Sequence, residues 1–156
     1  MNPQILDPAC GSRMFYFDKQ RDCMIYGDSR TLETTLCDGR HLSVSPDLQM
    51  DFRHIPFPND TFRLVVFDPP HIARGSGWQA QKYGVLPKNW GECLSEGFAE
   101  CWRVLKPGGT LILKWNETHI KIGEILRLLP QRPLLGQRTT KNLLTHWIVF
   151  YKEAEE

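Results

Sequence analysis

Asp68-Pro69-Pro70-His71, at the end of the apolar run Leu64-Val65-Val66-Phe67, is the stretch of this chain best suited to chemistry. Four β-favouring residues followed by two prolines describe a buried strand that stops abruptly. Proline has no N–H for a ladder and biases its predecessor toward extended backbone. Such a corner is rigid. It holds the Asp68 carboxylate and the neighbouring backbone carbonyls at the carboxyl end of a strand, where open α/β sheets place their ligands. Two other stretches have related features. Gln4-Ile5-Leu6-Asp7 reads as a short strand closed by Pro8, and the small residues Ala9-Cys10-Gly11-Ser12 then open a turn that exposes backbone N–H groups. Cys23-Met24-Ile25-Tyr26-Gly27-Asp28 reads as a second strand, ending on an acid 17 residues beyond Gly11. An acid near that spacing is where nucleotide-binding folds hold ribose hydroxyls.

The elements that must position these groups follow from periodicity and punctuation. A helix is expected through Met14 to Lys19. Residues 34–44 alternate polar and apolar side chains around Asp38-Gly39 and predict a small β-hairpin. Leu48 to Phe52 reads as the third main strand and Leu64 to Asp68 as the fourth. Residues 72–88 carry Gly75, Gly77 and Gly84 and predict a loop or lid. Trp90, Cys93, Leu94, Phe98, Cys101, Trp102 and Leu105 recur at helical spacing between Lys88 and Leu105, and Lys106-Pro107-Gly108-Gly109 ends that helix. Thr110 to Trp115 is a fifth strand. Asn116 is placed to cap a helix over Glu117–Leu129, which Pro130 and Pro133 break. Leu134–Gln137 and Leu143–Tyr151 form a final hairpin across the polar connection Arg138-Thr139-Thr140-Lys141-Asn142. Strands alternating with helices predict an α/β fold with a mostly parallel sheet of seven strands, an antiparallel C-terminal hairpin and helices on both faces.

The chain has 156 residues, of which 41% are hydrophobic and 24% charged, enough for a single globular domain with its own core. No apolar run approaches membrane-span length, and Met1 to Gln4 carries no signal-peptide features, so a cytoplasmic protein with no membrane partner is expected. Cys10, Cys23, Cys37, Cys93 and Cys101 contain no Cys-x-x-Cys pair, and no histidine shows ligand spacing, so neither a disulfide framework nor a metal site is expected. The net charge is only +1, but Arg74, Lys82 and Lys88 lie between Ile72 and Trp90 without an acid.

Taken in order, Asp7-Pro8-Ala9-Cys10-Gly11-Ser12, Asp68-Pro69-Pro70-His71 and Arg103-Val104-Leu105-Lys106-Pro107-Gly108-Gly109-Thr110 resemble the class I S-adenosylmethionine-dependent methyltransferases. Among these they look most like the amino-methyltransferases of DNA adenine N6 and cytosine N4, including small phage- and prophage-type members. The resemblance extends from Ile5 to Tyr151. It implies a Rossmann-like domain with S-adenosyl-L-methionine as cofactor, held by Asp7, Pro8, Ala9, Cys10, Gly11, Ser12 and Asp68. Asp28 would take the ribose, Asp51 the adenine amino group, and Phe52 the ring. It also implies catalysis by Asp68, Pro69, Pro70 and His71 on an exocyclic amine, with DNA preferred and RNA possible as substrate. A duplex base must be flipped out to reach such a site. Arg74, Trp78, Lys82 and Tyr83 mix cations and aromatics as nucleic-acid surfaces do, and with His71 they form the expected substrate surface.

The chain departs from the family pattern at two positions. Arg13 stands where the family has glycine. His71 replaces the usual aromatic and by itself would titrate near neutrality. No separate target-recognition domain is expected, so selectivity comes from the lid, the Cys37-Asp38-Gly39-Arg40 hairpin, a homodimer or a partner subunit, or does not exist. Other readings stay open: methylation of RNA, a nucleotide or a protein amide, or a non-catalytic S-adenosylmethionine-binding module. Asp28 and Asp51 also read as caps, and Trp78 and Tyr83 as packing for the lid.

Overall fold

In the computed structural model, residues 2–138 and 143–154 are described, so Thr139, Thr140, Lys141 and Asn142 of the expected polar connection lie outside the described residues. Three short parallel strands make the centre. β1 (Ile5–Asp7), cut off by Pro8, pairs on one side with β2 (Met24–Asp28) and on the other with β6 (Phe62–Phe67). Between β2 and β6 the chain forms the antiparallel pair β3 (Leu32–Thr35) and β4 (His41–Val44), then β5 (Leu48–Gln49) beside β2. β7 (Leu105–Asn116) runs parallel to β6, while β9 (Thr145–Tyr151) and β8 (Leu135–Arg138) close the sheet antiparallel. The order β5-β2-β1-β6-β7-β9-β8 reverses direction at β1 and β6. Crevices outside the carboxyl ends of strands at such a switch point are the usual ligand sites of open α/β sheets. The ends of β1 and β6 carry Asp7 and Asp68.

One face of the sheet presents Leu6, Val65, Phe67, Leu111, Leu113, Trp115, Ile148 and Phe150 to helices α2 (Trp90–Val104) and α3 (Ile122–Leu128). Gly97 allows close contact there: a Cβ on it would lie 2.4 Å from Cδ2 of Phe52 and 3.0 Å from Cζ of Phe67. The helix therefore seats the very ring that walls the site. The other face is built differently from expectation. Over β1 and β2 it is covered by coil, and residues 14–19 do not form the expected helix. Arg13 sits at φ 54°, and its guanidinium bonds to Asp47 and to the carbonyls of Ser45 and Lys19. Tyr16 bonds to Asp7 and packs edge-on to Tyr26, while Phe15 packs on Trp147. These tertiary contacts outweigh a weak helical preference.

Other boundaries shift for local reasons. The third main strand ends at Gln49 rather than Phe52, because Asp51 accepts from its own neighbour's amide, Arg53 N, and turns the chain. The Lys106–Gly109 breaker ends α2 at Val104, yet the chain stays paired: Phe62 aligns with Leu105 and Leu64 with Thr110, so residues 106–109 bulge out. Helix α3 starts at Ile122 rather than Glu117. Asn116 accepts from Thr118 N, making a local turn, and Glu117 receives the Ile122 amide at 3.2 Å. The lid holds a short helix, α1 (Trp78–Tyr83), and its two ends meet where Ile72 bridges Val85. No helix among the described residues is long and apolar enough to cross a membrane.

Candidate active site

Four chain segments bring polar groups to the switch point. Asp7 ends β1 fully buried, accepting from Ala9 N at 2.9 Å and from the Tyr16 hydroxyl at 2.7 Å. Burial pushes its carboxyl up to about 7, against the lowering effect of those donors. Gly11 adopts φ +51°, and nothing lies within 4 Å of where its Cβ would stand. That left-handed conformation suits glycine, and the open space leaves room for a ligand against the backbone. The Gly11 amide donates to Asp28 Oδ2 at 2.9 Å, and Asp28 Oδ1 accepts from Arg30 N and Nε. Asp28 thus clamps the glycine turn to the end of β2, and both of its oxygens already have donors. Arg30 also reaches the lid, donating to the Gln81 carbonyl at 3.1 Å.

At the end of β6, the Asp68 side chain is 19% exposed and its Oδ2 lies 3.1 Å from Lys114 Nζ. The pairing of Phe67 with Leu113 puts the next residues, Asp68 and Lys114, side by side. Burial raises the Asp68 carboxyl above its ordinary value, and the Lys114 ammonium opposes that rise. A cleft of 30 Å³ joins Asp68, Pro69 and His71 to Cys10, Gly11 and Ser12 across the switch point, with Lys82 and Tyr83 of the lid on its border. A second cleft, of 140 Å³, lies among Pro8, Asp28, Phe52, Asp68, Pro70 and Tyr83. The structure therefore brings together the glycine turn, Asp28, Phe52, the Asp-Pro-Pro corner, His71, Lys82 and Tyr83.

Four expected residues stand apart, the first being Asp7, which is fully buried and borders neither cleft. Asp51 lines neither cleft. It is held by Arg53 at 2.7 Å, which keeps its carboxyl below the usual carboxylate range. Arg74 is exposed before α1, and Trp78, 37% exposed, lies under the Arg40 guanidinium at 5.9 Å; neither borders the clefts. A larger cavity, of 720 Å³, touches Gly11 and Ser12 but extends away toward Lys19, Asp22 and Asp47, and neither Asp68 nor His71 lines it. Of the cations lining it, Arg13 is already bonded to Asp47.

His71 differs from expectation in its titration. Only 9% exposed, it packs 5.1 Å from the Tyr83 ring and 6.4 Å from Trp115. Burial, with smaller effects from Lys114 and His119, pushes its pKa down to about 4, so the ring is neutral at pH 7. A folded-state value below the unfolded one contributes stability that is present above about 6.5 and lost as pH falls through 4. Urea unfolding at pH 7.5 and 4.5 tests this: wild type loses roughly 2 kcal/mol more between the two than His71→Phe. Equal losses would contradict the buried neutral imidazole.

Sequence reading missed Tyr16, Arg30, Lys114 and His119, the last of which accepts the Ala73 amide at the root of the lid at 3.0 Å. Lys114 left a trace, as a cation in the apolar run Leu111-Ile112-Leu113-Lys114-Trp115, on the side of the strand shared with Ile112.

No family model matches the chain, and no curated protein matches it. Solved structures do. A Pyrococcus horikoshii protein superposes with TM-score 0.63 at 15% identity, over 98% of this chain and 83% of its own. A Methanosarcina mazei S-adenosylmethionine-dependent methyltransferase gives TM-score 0.62 at 13% identity, over 99% and 94%. The fold is that of S-adenosylmethionine-dependent methyltransferases. Geranyl diphosphate methyltransferase in complex with S-adenosylmethionine also matches, with TM-score 0.52 at 11% identity over 97% of this chain and 78% of that one. Identities this low carry the architecture and not the substrate. Among the described residues, no three His, Cys, Asp or Glu side chains are grouped to hold a metal ion.

Proposed function

We propose that this protein transfers a methyl group from S-adenosyl-L-methionine to an exocyclic nitrogen of a nucleic-acid base, adenine N6 in DNA being the foremost target. The observation that carries the reading is the cleft in which Asp68 and Pro69 face the Gly11 turn. The residues fit the cofactor. No atom stands within 4 Å of where a Cβ of Gly11 would be, Asp28 borders the adjoining cleft with one lone pair of Oδ2 left after the Gly11 amide, and Phe52 walls that cleft. When bound, the cofactor supplies an activated methyl group on a positively charged sulfur.

The chain's own residues do the rest. An exocyclic amine is a weak nucleophile because its lone pair is delocalised into the base. Hydrogen bonds from that NH₂ to the Asp68 carboxylate and the Pro69 carbonyl localise the lone pair and orient it, so rate comes from alignment and electrostatics. His71, neutral and packed on Tyr83, borders the cleft where a flipped base would enter, and Lys82 brings positive charge to the rim. Selectivity for neighbouring bases falls to the lid and the β3–β4 hairpin, where Arg40 meets Trp78, or to a second subunit.

The test is twofold. Calorimetric titration with S-adenosylmethionine is expected to show binding, and its absence would favour a non-catalytic module. The protein is also expressed in a host lacking adenine methylation, and labelled-methyl transfer is measured on DNA, RNA and protein. N6-methyladenine in the host DNA is the expected result; label confined to RNA, nucleotide or protein would move the substrate.

A further inference from the structure

Lys114 is an expensive residue where it stands. Its side chain is 17% exposed, on a strand whose other residues from Leu111 to Trp115 are apolar. Burying an ion pair seldom stabilises a fold more than apolar packing of the same volume would, so stability alone is a poor reason for a lysine there. Its surroundings are also specific. The ammonium lies over the Phe15 ring at 5.2 Å and the Trp147 ring at 5.8 Å, with Asp68 Oδ2 at 3.1 Å. Three separate segments, the coil after β1, strand β9 and the corner after β6, thus close on a cation carried by β7. Such cation–π contacts hold an ammonium in place without consuming the anion's hydrogen-bonding capacity. Among the described residues, Asp68 Oδ1 has no hydrogen-bond donor.

We propose that Lys114 is a positioning residue for Asp68: its ammonium anchors one carboxylate oxygen and leaves the other to accept the N–H of the target amine. This rests on the methyl-transfer reading above and adds to it a residue outside the Asp-Pro-Pro motif. Without the lysine, the carboxylate loses both its orientation and its counter-charge in a site where burial favours the neutral acid. A protonated Asp68 would present a hydroxyl to the amine and accept far more weakly. Several other groups face the pair: Asp7 and Tyr16 from the β1 side, His71 from the corner, with His119 behind it, and Arg30 and Lys82 from the side of the lid. Asp7 itself sits near neutrality, so a rate profile alone would mix the two carboxyls.

The decisive measurement is therefore residue-specific. Full-length protein is labelled with carboxyl-¹³C aspartate, and the Asp68 signal is assigned by its loss in Asp68→Asn. In Lys114→Met, a near-isosteric change that leaves the aromatic slot filled, the Asp68 midpoint is expected to rise by about one pH unit or more. In Lys114→Arg, which restores the charge, it returns close to wild type, and this variant also guards against a folding defect in the first. The acid limb of kcat, at saturating cofactor, moves upward with the Asp68 midpoint, while cofactor affinity stays unchanged. An unmoved Asp68 signal in Lys114→Met overturns the proposal, as does an acid limb that ignores a shifted Asp68. If the wild type methylates no acceptor at all, the methyl-transfer reading fails on its own, and the carboxyl titration still decides whether Lys114 governs Asp68.

Discussion

Asp68→Asn lowers methyl transfer by at least about 100-fold while cofactor affinity changes little, the size of loss seen when one preorganised electrostatic contact is removed from a transition state. The substitution keeps the side chain's shape at the end of β6 but replaces an anion with an amide whose NH₂ group repels an incoming N–H donor. It also leaves Lys114 with its nearest counter-charge gone, and an ammonium stranded in a mostly buried site costs on the order of 1–3 kcal/mol. Activity and stability must therefore be separated. The double variant Asp68→Asn/Lys114→Met removes the stranded charge, so it recovers most of the lost stability and none of the activity. Labelled-methyl assays, calorimetry and urea unfolding on the two variants and wild type make the comparison. An Asp68→Asn protein with more than a tenth of wild-type turnover would remove Asp68 from the catalytic role. Recovery of activity in the double variant would instead make the exposed cation the cause.

The corner at Asp68 was legible in the sequence because proline acts locally. Two prolines after an apolar run end a strand whatever packs around it, and Asp68 must then stand at the strand's carboxyl end. Asp-Gly in the β3–β4 turn was legible for the same reason: Gly39 takes φ +82° and Asp38 accepts from Arg40 N, both dictated within five residues. What depends on distant partners did not show. The coil after Gly11 is held by Trp147, Asp47 and Tyr26, none of which a local pattern reveals, so the helix expected over Met14–Lys19 gives way to coil. Lys114 meets Asp68 only through the register of β6 on β7. Asp28 and Asp51 look alike in sequence as strand-end acids, yet one clamps the Gly11 amide and the other is held by Arg53 outside the clefts. Residue type was enough to nominate both. Each acid also holds the arginine two positions later, so what separates them is the Gly11 amide on Asp28 and the reach of Arg30 to the Gln81 carbonyl of the lid.

Trp115→Ala is expected to cost about 3–5 kcal/mol, a large part of the stability of a domain this size. Trp115 is fully buried, the largest such side chain in the core, and its indole N–H donates to the Ile120 carbonyl at 2.9 Å. Removing it opens a cavity between β7 and α3 and leaves that buried carbonyl unpaired. The loss also reaches the site by a definite route. The loop that Ile120 closes carries His119, which accepts the Ala73 amide at the root of the lid, and Glu117, which receives the start of α3. Trp115 further meets His71 edge-on. Trp115→Phe separates the two effects, because it keeps most of the ring and deletes only the N–H, at a cost of about 1–2 kcal/mol. In that variant hydrogen exchange at Ala73 is expected to quicken while Val66, in the middle of β6, keeps its protection. If the chain methylates the acceptor proposed above, KM for that acceptor rises and kcat changes less, since Asp68 and Lys114 stand on or beside strands the substitution does not loosen. Unchanged exchange at Ala73 would cut the link from Trp115 to the lid. A Trp115→Ala protein destabilised by less than about 1 kcal/mol would mean that the core closes over the gap, a collapse that the rigid pairing of β7 with β6 and β9 argues against.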